Sequence, residues 1–219
     1  MARPSANTDE KLLKAGREVI AEHGLSGLSM RAVAKKAGVN LGMFHYHFKN
    51  KAEFSRRCTE EAYAEFFRGF ELETADGSTL QRLRRGLLAL ARFSRDQRFF
   101  ILALLRDLEA KSPEAWEFLR RRFPPPHAKV IIALIKQGQK EGLVLKAPLG
   151  TLMPVLMSGI LFPNLIGGMA EKAVGTRFMR LPRLGIQRLF LSDKALAARV
   201  DLALRGLLID PKQDQRRTQ

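Results

Sequence analysis

The sequence predicts an all-α protein with an N-terminal three-helix unit followed by a larger helical domain. Apolar residues recur three or four positions apart through most of the 219 residues, which is the spacing of a buried helix face. Strand-like alternation of useful length and internal repeats are both absent from the sequence. Glycines, prolines and capping side chains divide the apolar pattern into separate helices, which we take in order.

The first predicted helix begins at Thr8, whose side chain can cap it, and closes at Gly24. Acidic residues follow Thr8, where the helix dipole favours negative charge. We expect one face of this helix to point inward. That face consists of Leu12, Gly16, Val19, Ile20 and His23.

The next two predicted helices are short and meet at a glycine within Leu28–Phe48. Ser29 is a good N-cap for the first of them, Gly38 allows the turn, and Asn40 can cap the second. A short helix, a glycine turn and a second short helix form the layout of a helix-turn-helix, whose second helix enters the DNA major groove. The apolar positions of the first short helix are Met30, Val33, Ala34 and Ala37.

A fourth helix is expected to begin near Lys51 and to run past Phe70. Asn50 and Glu53 have the spacing of a capping box at its start. The acidic stretch 73–78 is expected to be a loop. The apolar positions of this helix are Phe54, Cys58, Ala62, Phe66, Phe67 and Phe70.

The remaining chain continues as helices. One opens at Thr79, one covers about 98–110, and one starts at Ser112 followed by a proline. The three prolines 124–126 interrupt the pattern, and helical spacing resumes from Val130 to about residue 142.

The segment Ala147–Ala170 carries no charge and is long enough to span a bilayer. Because three prolines and an asparagine interrupt it, burial in a core or a subunit interface is the simpler interpretation, and no membrane partner is expected. The basic, turn-rich segment Lys172–Leu191 is expected to form a loop with short turns. Its arginines are Arg177, Arg180, Arg183 and Arg188. Ser192 then caps a last helix, which is expected to end at Asp210.

The chain is strongly basic, with a formal net charge of +16 and a sequence pI near 10.6. Such charge favours polyanions, nucleic acid first and anionic membranes second. A single cysteine, Cys58, cannot form an intramolecular disulfide, which fits a reducing compartment. Residues 1–7 have no apolar region of a signal peptide, so we expect a cytoplasmic protein.

The residues of the first four helices resemble the TetR family of bacterial transcriptional regulators. The resemblance covers about residues 8–54 and rests on three groups in this order: Glu22-His23-Gly24, Ala34-x-x-Ala37-Gly38-Val39 and Tyr46-His47-Phe48-Lys49-Asn50-Lys51. It implies a DNA-binding domain over 8–54 and a ligand-binding and dimerisation domain over 55–210, with homodimer contacts through the last two long helices. Residues 211–219 are expected to be a disordered tail.

The recognition helix is expected over about Asn40–Tyr46. Asparagine can pair with adenine, and Leu41 and Met43 can meet thymine methyl groups. The family resemblance implies backbone contacts by His47 and Lys51, with Tyr46 nearby, and histidine stands at 45 where a tyrosine is typical. The predicted DNA-binding residues are Ser29, Arg31, Asn40, Leu41, Gly42, Met43, His45, Tyr46, His47 and Lys51.

A small apolar or amphipathic effector is expected in the larger domain, because the candidate lining is apolar and aromatic. Core packing is the alternative role for each candidate. The six effector candidates are Phe66, Phe70, Leu102, Trp116, Met157 and Phe162.

No catalytic, metal or cofactor site is expected. His45 and His47 are two positions apart and face away from each other on a helix, and Ser158 lies outside the Gly-x-Ser-x-Gly pattern of a hydrolase nucleophile. The sequence therefore predicts a ligand-responsive DNA-binding regulator, most simply a repressor that binds a palindromic operator as a homodimer. The alternatives are a non-specific architectural DNA-binding protein and a small-molecule binding protein without DNA recognition.

Overall fold

The computed structural model describes residues 6–174 and 182–209. Within these residues the regular structure is helical, apart from one isolated bridge between Val144 and Leu208. The all-α class is confirmed. The helices are α1 Ala6–His23, α2 Met30–Ala37, α3 Leu41–His47, α4 Lys51–Thr74, α5 Thr79–Asp96, α6 Arg98–Glu109, α7 Pro113–Arg122, α8 Pro126–Lys140, α9 Leu149–Ala173, α10 Arg183–Ile186 and α11 Asp193–Arg205, with a π-helical turn at Gln187–Leu191.

The chain divides into two compact units. The first consists of Met1–Phe66 and Phe99–Phe123, and the second of Phe67–Arg98 and Pro124–Gln219. The domain boundary expected after residue 54 falls inside α4, and the first unit also contains α6 and α7. The helix-turn-helix is therefore packed with a segment that lies some 50 residues further along the chain than its own helices.

The core of the first unit is built on three phenylalanine rings. Phe44, Phe48 and Phe54 are fully buried, and their ring centroids lie 4.7–5.4 Å apart. Gly16 of α1 faces this cluster, and a Cβ there would lie 2.5 Å from the Phe54 ring and 2.7 Å from the Cys58 sulfur. A side chain at residue 16 would therefore push α1 away from α4.

Two expectations for α1 are wrong. Thr8 lies inside the helix, which starts at Ala6, so it is not the N-cap. The His23 side chain is 61% exposed and lies 3.7 Å from the Glu22 carboxylate. Since His23 is the last residue of α1, it points past the edge of the buried face, which Leu13 and Ala15 complete instead.

The second unit is a bundle in which α5 packs against α8, α9 and α11. Ser78 and Gln81 form a reciprocal capping box at the start of α5. Each helix contributes an apolar stripe at i, i+4 spacing to one core. The fully buried side chains of this core include Leu83 and Leu87 of α5, Ile131 and Ile135 of α8, Leu156 and Ile160 of α9, and Leu196 and Val200 of α11.

The uncharged segment forms one continuous helix, α9, despite Pro154 and Pro163. By length and composition α9 could cross a membrane, a property that the core helix of a soluble protein shares. It packs against α5 and α11 and buries Asn164 completely. The Asn164 amide donates to the Ala91 carbonyl at 2.9 Å, and its oxygen accepts from Arg199 at 2.9 Å. The buried asparagine is thus satisfied by neighbouring helices.

In the basic segment after α9, the expected loop contains short helical turns. Its described part folds as α10 and the π-helical turn, which buries Ile186 and Leu191. Arg177 and Arg180 lie outside the described residues, as do residues 210–219 with the expected tail. The last helix ends at Arg205 rather than at residue 210.

Candidate nucleic-acid interface

The local signals of the helix-turn-helix are confirmed atom by atom. The Ser29 hydroxyl accepts from the Ala32 N–H at 3.4 Å, and the Asn40 side chain accepts from the Met43 N–H at 2.8 Å. Gly38 has φ +69°, and its N–H reaches the carbonyls at the end of α2. This left-handed conformation ends α2 and directs the chain into α3.

Helix α3 has a buried side and an exposed side. Phe44 is fully buried, as core packing requires, whereas Gly42, His45 and Tyr46 are exposed. Tyr46 is the most open large side chain of this helix, at 70% exposure. The exposed side of α3 is therefore free of the protein core and available to a groove.

Three of the predicted base-contacting residues also make contacts within the protein. Leu41 and Met43 are half-buried, and Leu41 packs against the core of the first unit. The Asn40 oxygen that would pair with adenine already accepts the Met43 N–H. Pairing with adenine therefore needs the second lone pair of this oxygen or an opening of the cap.

The His47 side chain is turned inward, which the sequence did not indicate. It is 7% exposed, and its Nδ1 contacts Oδ1 of Asp9 on α1. Arg57 lies on the other oxygen of that carboxylate, at 3.6 Å. A phosphate contact by His47 would require this pair to open, whereas the neighbouring His45 already faces solvent.

Lys51, the first residue of α4, is half-buried. Its Nζ donates to the Ser26 carbonyl at 3.1 Å. Ser29 and Arg31, at the start of α2, are exposed. The free N–H groups at the start of α4 lie beside Lys51, and such groups attract phosphate. The Asn50 side chain takes one of them, the Glu53 N–H, at 2.8 Å.

The segment from 25 to 52 contains no acidic residue. Its five cations are Arg31, Lys35, Lys36, Lys49 and Lys51. Lys36 is paired with Glu18 and Glu22 of α1, which raises the pKa of its ammonium. The helix-turn-helix therefore presents a positive field around the exposed side of α3.

In the described part of the chain, neither Cys58 nor any cluster of titratable side chains forms a recognisable catalytic or metal-binding site. Burial raises the pKa of the Cys58 thiol to about 12, so it stays protonated and unreactive. Among residues 6–174 and 182–209, no group of three or more histidine, cysteine or acidic side chains could hold a metal ion.

The six effector candidates fall in both units. Phe66, Leu102 and Trp116 belong to the first unit, and the other three to the second. Trp116 and Phe162 are more than half exposed, and Phe70 is 1% exposed. A shared effector pocket for these residues stays a prediction.

Two cavities have linings that the sequence did not single out. One, of about 280 Å³, lies in the first unit and is lined by Leu25, Lys51 and Phe118 among others. The other, of about 410 Å³, lies in the second unit beside Arg98 and Glu171. Neither lining contains any of the six effector candidates.

Comparison with known proteins gives a consistent result. Residues 12–58 match the model for "Bacterial regulatory proteins, tetR family". The chain is 25% identical over 166 residues to the "Probable HTH-type transcriptional regulator YttP" of Bacillus subtilis, covering 73% of this chain and 78% of that one. It is 35% identical over 77 residues to the "Transcriptional regulator AcuR" of Cereibacter sphaeroides, covering 34% and 35% of the two chains.

Solved structures agree in fold. A TetR-family transcriptional regulator from Haemophilus influenzae has a TM-score of 0.59 and 18% identity, and the match covers 92% of this chain and 99% of that one. At 18% identity this similarity shows the fold alone. Any argument about function must come from the residues of the helix-turn-helix.

Proposed function

Because the chain belongs to the TetR family of DNA-binding transcriptional regulators, we propose that it is a ligand-responsive repressor. In this proposal it binds a palindromic operator as a homodimer in the cytoplasm and leaves the DNA when a small apolar or amphipathic molecule binds. It acts as a regulator and not as an enzyme.

The observation that carries the proposal is the exposed side of α3. Gly42, His45 and Tyr46 are exposed there, on a helix whose opposite side is fixed in the core through Phe44. The surrounding segment 25–52 has cations and no acid. A rigid helix that offers an open side within a positive field fits major-groove recognition.

An exposed apolar stripe supports the homodimer. Val155, Phe162 and Met169 lie seven residues apart on α9, so they share one side of the helix, and each is 55–61% exposed. Leu202 on α11 is 71% exposed. Large apolar side chains in such a row favour a protein partner, and a two-fold dimer would read a palindrome with half-sites one or more helical turns apart.

The effector part of the proposal rests on the apolar character of the six effector candidates. An effector releases DNA only if it prefers the arrangement of the dimer that does not bind DNA, and DNA must then weaken effector binding by the same factor. Long-chain fatty acids and small aromatic acids are the two probe classes to titrate against a labelled protein–DNA complex. Release by neither class would remove the apolar effector from the proposal.

The test of DNA recognition is selection of duplexes from a random library by the purified protein, followed by footprinting on genomic DNA. We expect one palindromic consensus that survives a large excess of random competitor. Equal affinity for random duplexes would favour the non-specific architectural protein instead. Failure to retain any duplex at low salt would favour the small-molecule binding protein without DNA recognition.

A further inference from the structure

The turn between α1 and α2 is held by a carboxylate from a distant part of the same unit. Asp107 of α6 is 3% exposed and lies against residues Gly24–Ser26. One of its oxygens accepts from the Leu25 N–H at 2.7 Å and from the Ser26 N–H at 3.2 Å. The other accepts from the Ser26 hydroxyl at 3.0 Å. Three donors from one turn therefore satisfy one buried charge.

Gly24 is adapted to this contact. Its φ is +82°, and a Cβ at this position would lie 2.5 Å from both carboxylate oxygens of Asp107. The turn therefore approaches the carboxylate as closely as a chain can, and only glycine permits both the left-handed backbone and the approach. The glycine at position 24 and the short distances to the Asp107 oxygens both indicate a close contact.

The same turn is held from its other side by α4. Ser26 supplies two of the three donors to Asp107, and its carbonyl accepts from the Lys51 ammonium at 3.1 Å. Ser26 is three residues before Ser29, the N-cap of α2. The position at which α2 starts is thus defined by one acidic side chain from α6 and one basic side chain from α4.

We propose that Asp107 is a positioning residue for DNA recognition. Its carboxylate fixes the α1–α2 turn, and through Ser29 and the short α2 it fixes where α3 presents its exposed side. Asp107 itself touches no DNA in this proposal. The inference deepens the proposed function and rests on it, because the positioning matters only if α3 reads DNA.

The decisive variant is Asp107→Asn, which keeps the shape of the side chain but turns an amide donor toward donors of the turn. We expect affinity for the duplex selected by the wild-type protein to fall about tenfold or more. The dependence of log K on log salt should become shallower, because misplaced helices make fewer phosphate contacts. Glu109→Gln, an exposed carboxylate on the same helix, is the matched control and should leave both quantities unchanged.

Two further variants separate positioning from general destabilisation. Gly24→Ala should reproduce the loss of affinity, because its Cβ occupies the place of the Asp107 oxygens while the charge remains. Ile131→Val removes a buried methyl group from the core of the second unit, so it lowers stability and should leave DNA affinity unchanged. An equal loss of affinity in Ile131→Val would overturn the positioning role.

A readout without DNA keeps this inference distinct from the proposed function. Amide hydrogen exchange at Leu25 and Ser26 should be about tenfold faster in Asp107→Asn and unchanged in Glu109→Gln. If the wild-type protein selects no duplex, the proposed function fails and the positioning role falls with it, whatever the exchange shows. If it does select one, unchanged exchange or an affinity within twofold of wild type in Asp107→Asn overturns the positioning role alone.

Discussion

Single residues of this protein carry constraints that come from distant partners. Gly16 is an ordinary helix-weakening residue by its local sequence, yet the Phe54 ring and the Cys58 sulfur leave no room for a side chain there. Gly69 also lies inside a helix, α4, but a Cβ added there would meet no atom within 4 Å. Substitutions at Gly16 and at Gly69 should therefore change the free energy of unfolding in opposite directions.

We expect Gly16→Val to lower the free energy of unfolding by about 2 kcal/mol, because the added side chain forces α1 and α4 apart. Gly69→Ala should raise it by about 0.5–1 kcal/mol, since alanine is the better helix former and meets no obstacle. Urea unfolding followed by circular dichroism measures both. A destabilisation of similar size in the two variants would contradict the difference in packing.

His127 of α8 is a half-buried residue whose protonation affects the stability of the fold. Burial lowers the pKa of its imidazole to about 4, from an ordinary value of 6.5. Its ring lies 6.2 Å from that of Phe70. Because the folded protein resists protonation at this site while the unfolded chain does not, the contribution of His127 to stability is complete above about pH 6.5 and is lost as the pH falls to about 4.

We expect the wild-type protein to lose up to roughly 3 kcal/mol more stability between pH 7 and pH 4 than His127→Gln does. The measurement is the urea midpoint of both proteins across that range. His45→Gln is the control, because it removes a histidine from an exposed position. If the difference in stability between the wild-type protein and His127→Gln stayed constant with pH, His127 would not be the group that titrates.

At the scale of one element, the start of α4 serves both the fold and the predicted interface. Lys51 is the first residue of α4, where N–H groups lack helical partners, and its ammonium donates to the Ser26 carbonyl. The family resemblance implies a phosphate contact for Lys51, and the structure adds a reason for its position. Lys51 would therefore link the predicted phosphate contact to the turn that starts α2.

We expect Lys51→Ala to weaken binding to random duplexes through the lost phosphate contact. Binding to the selected duplex should weaken at least as much, because the contact with the Ser26 carbonyl is lost as well. The slope of log K against log salt should fall in magnitude by about one, because the variant neutralises one phosphate fewer. Lys140→Ala, an exposed cation on α8, should change neither the affinity nor the slope. An unchanged slope in Lys51→Ala would remove this residue from the phosphate-binding set and leave it only its bond to Ser26.

At the scale of the whole molecule, the exposed stripe of α9 and the net charge of +16 act in opposite directions. Like charge keeps copies of a chain apart, whereas a row of large apolar side chains favours association. If α9 provides the dimer interface, burial of the stripe must exceed this repulsion. Added salt should then strengthen the dimer while it weakens DNA binding.

We expect Phe162→Glu to shift the protein from dimer to monomer in sedimentation equilibrium at micromolar concentration, because the substitution places a charge in the middle of the stripe. Phe123→Glu, at an apolar residue of the first unit that is 74% exposed, should leave the dimer intact. A wild-type protein that sediments as a monomer would instead contradict the homodimer itself.

The sequence by itself determined the helices and the helix-turn-helix. The Ser29 and Asn40 caps and the Gly38 turn depend on residues within about four positions of each other. Such short-range rules can be read along the chain. The exposed side of α3 follows from them as well, since the other side of a seven-residue helix is occupied by the core.

Only the tertiary structure decided what supports that interface. Asp107 stands 81–82 residues from its partners, and His47 is turned inward by an aspartate 38 positions away, distances over which no helical period carries information. Helix α6 carries two carboxylates, Asp107 and Glu109, and a sequence cannot say which of them is buried or which donors will meet it. The physical reason is that caps and periodicity are properties of the local backbone, whereas a buried charge is stable only where packing brings its partners.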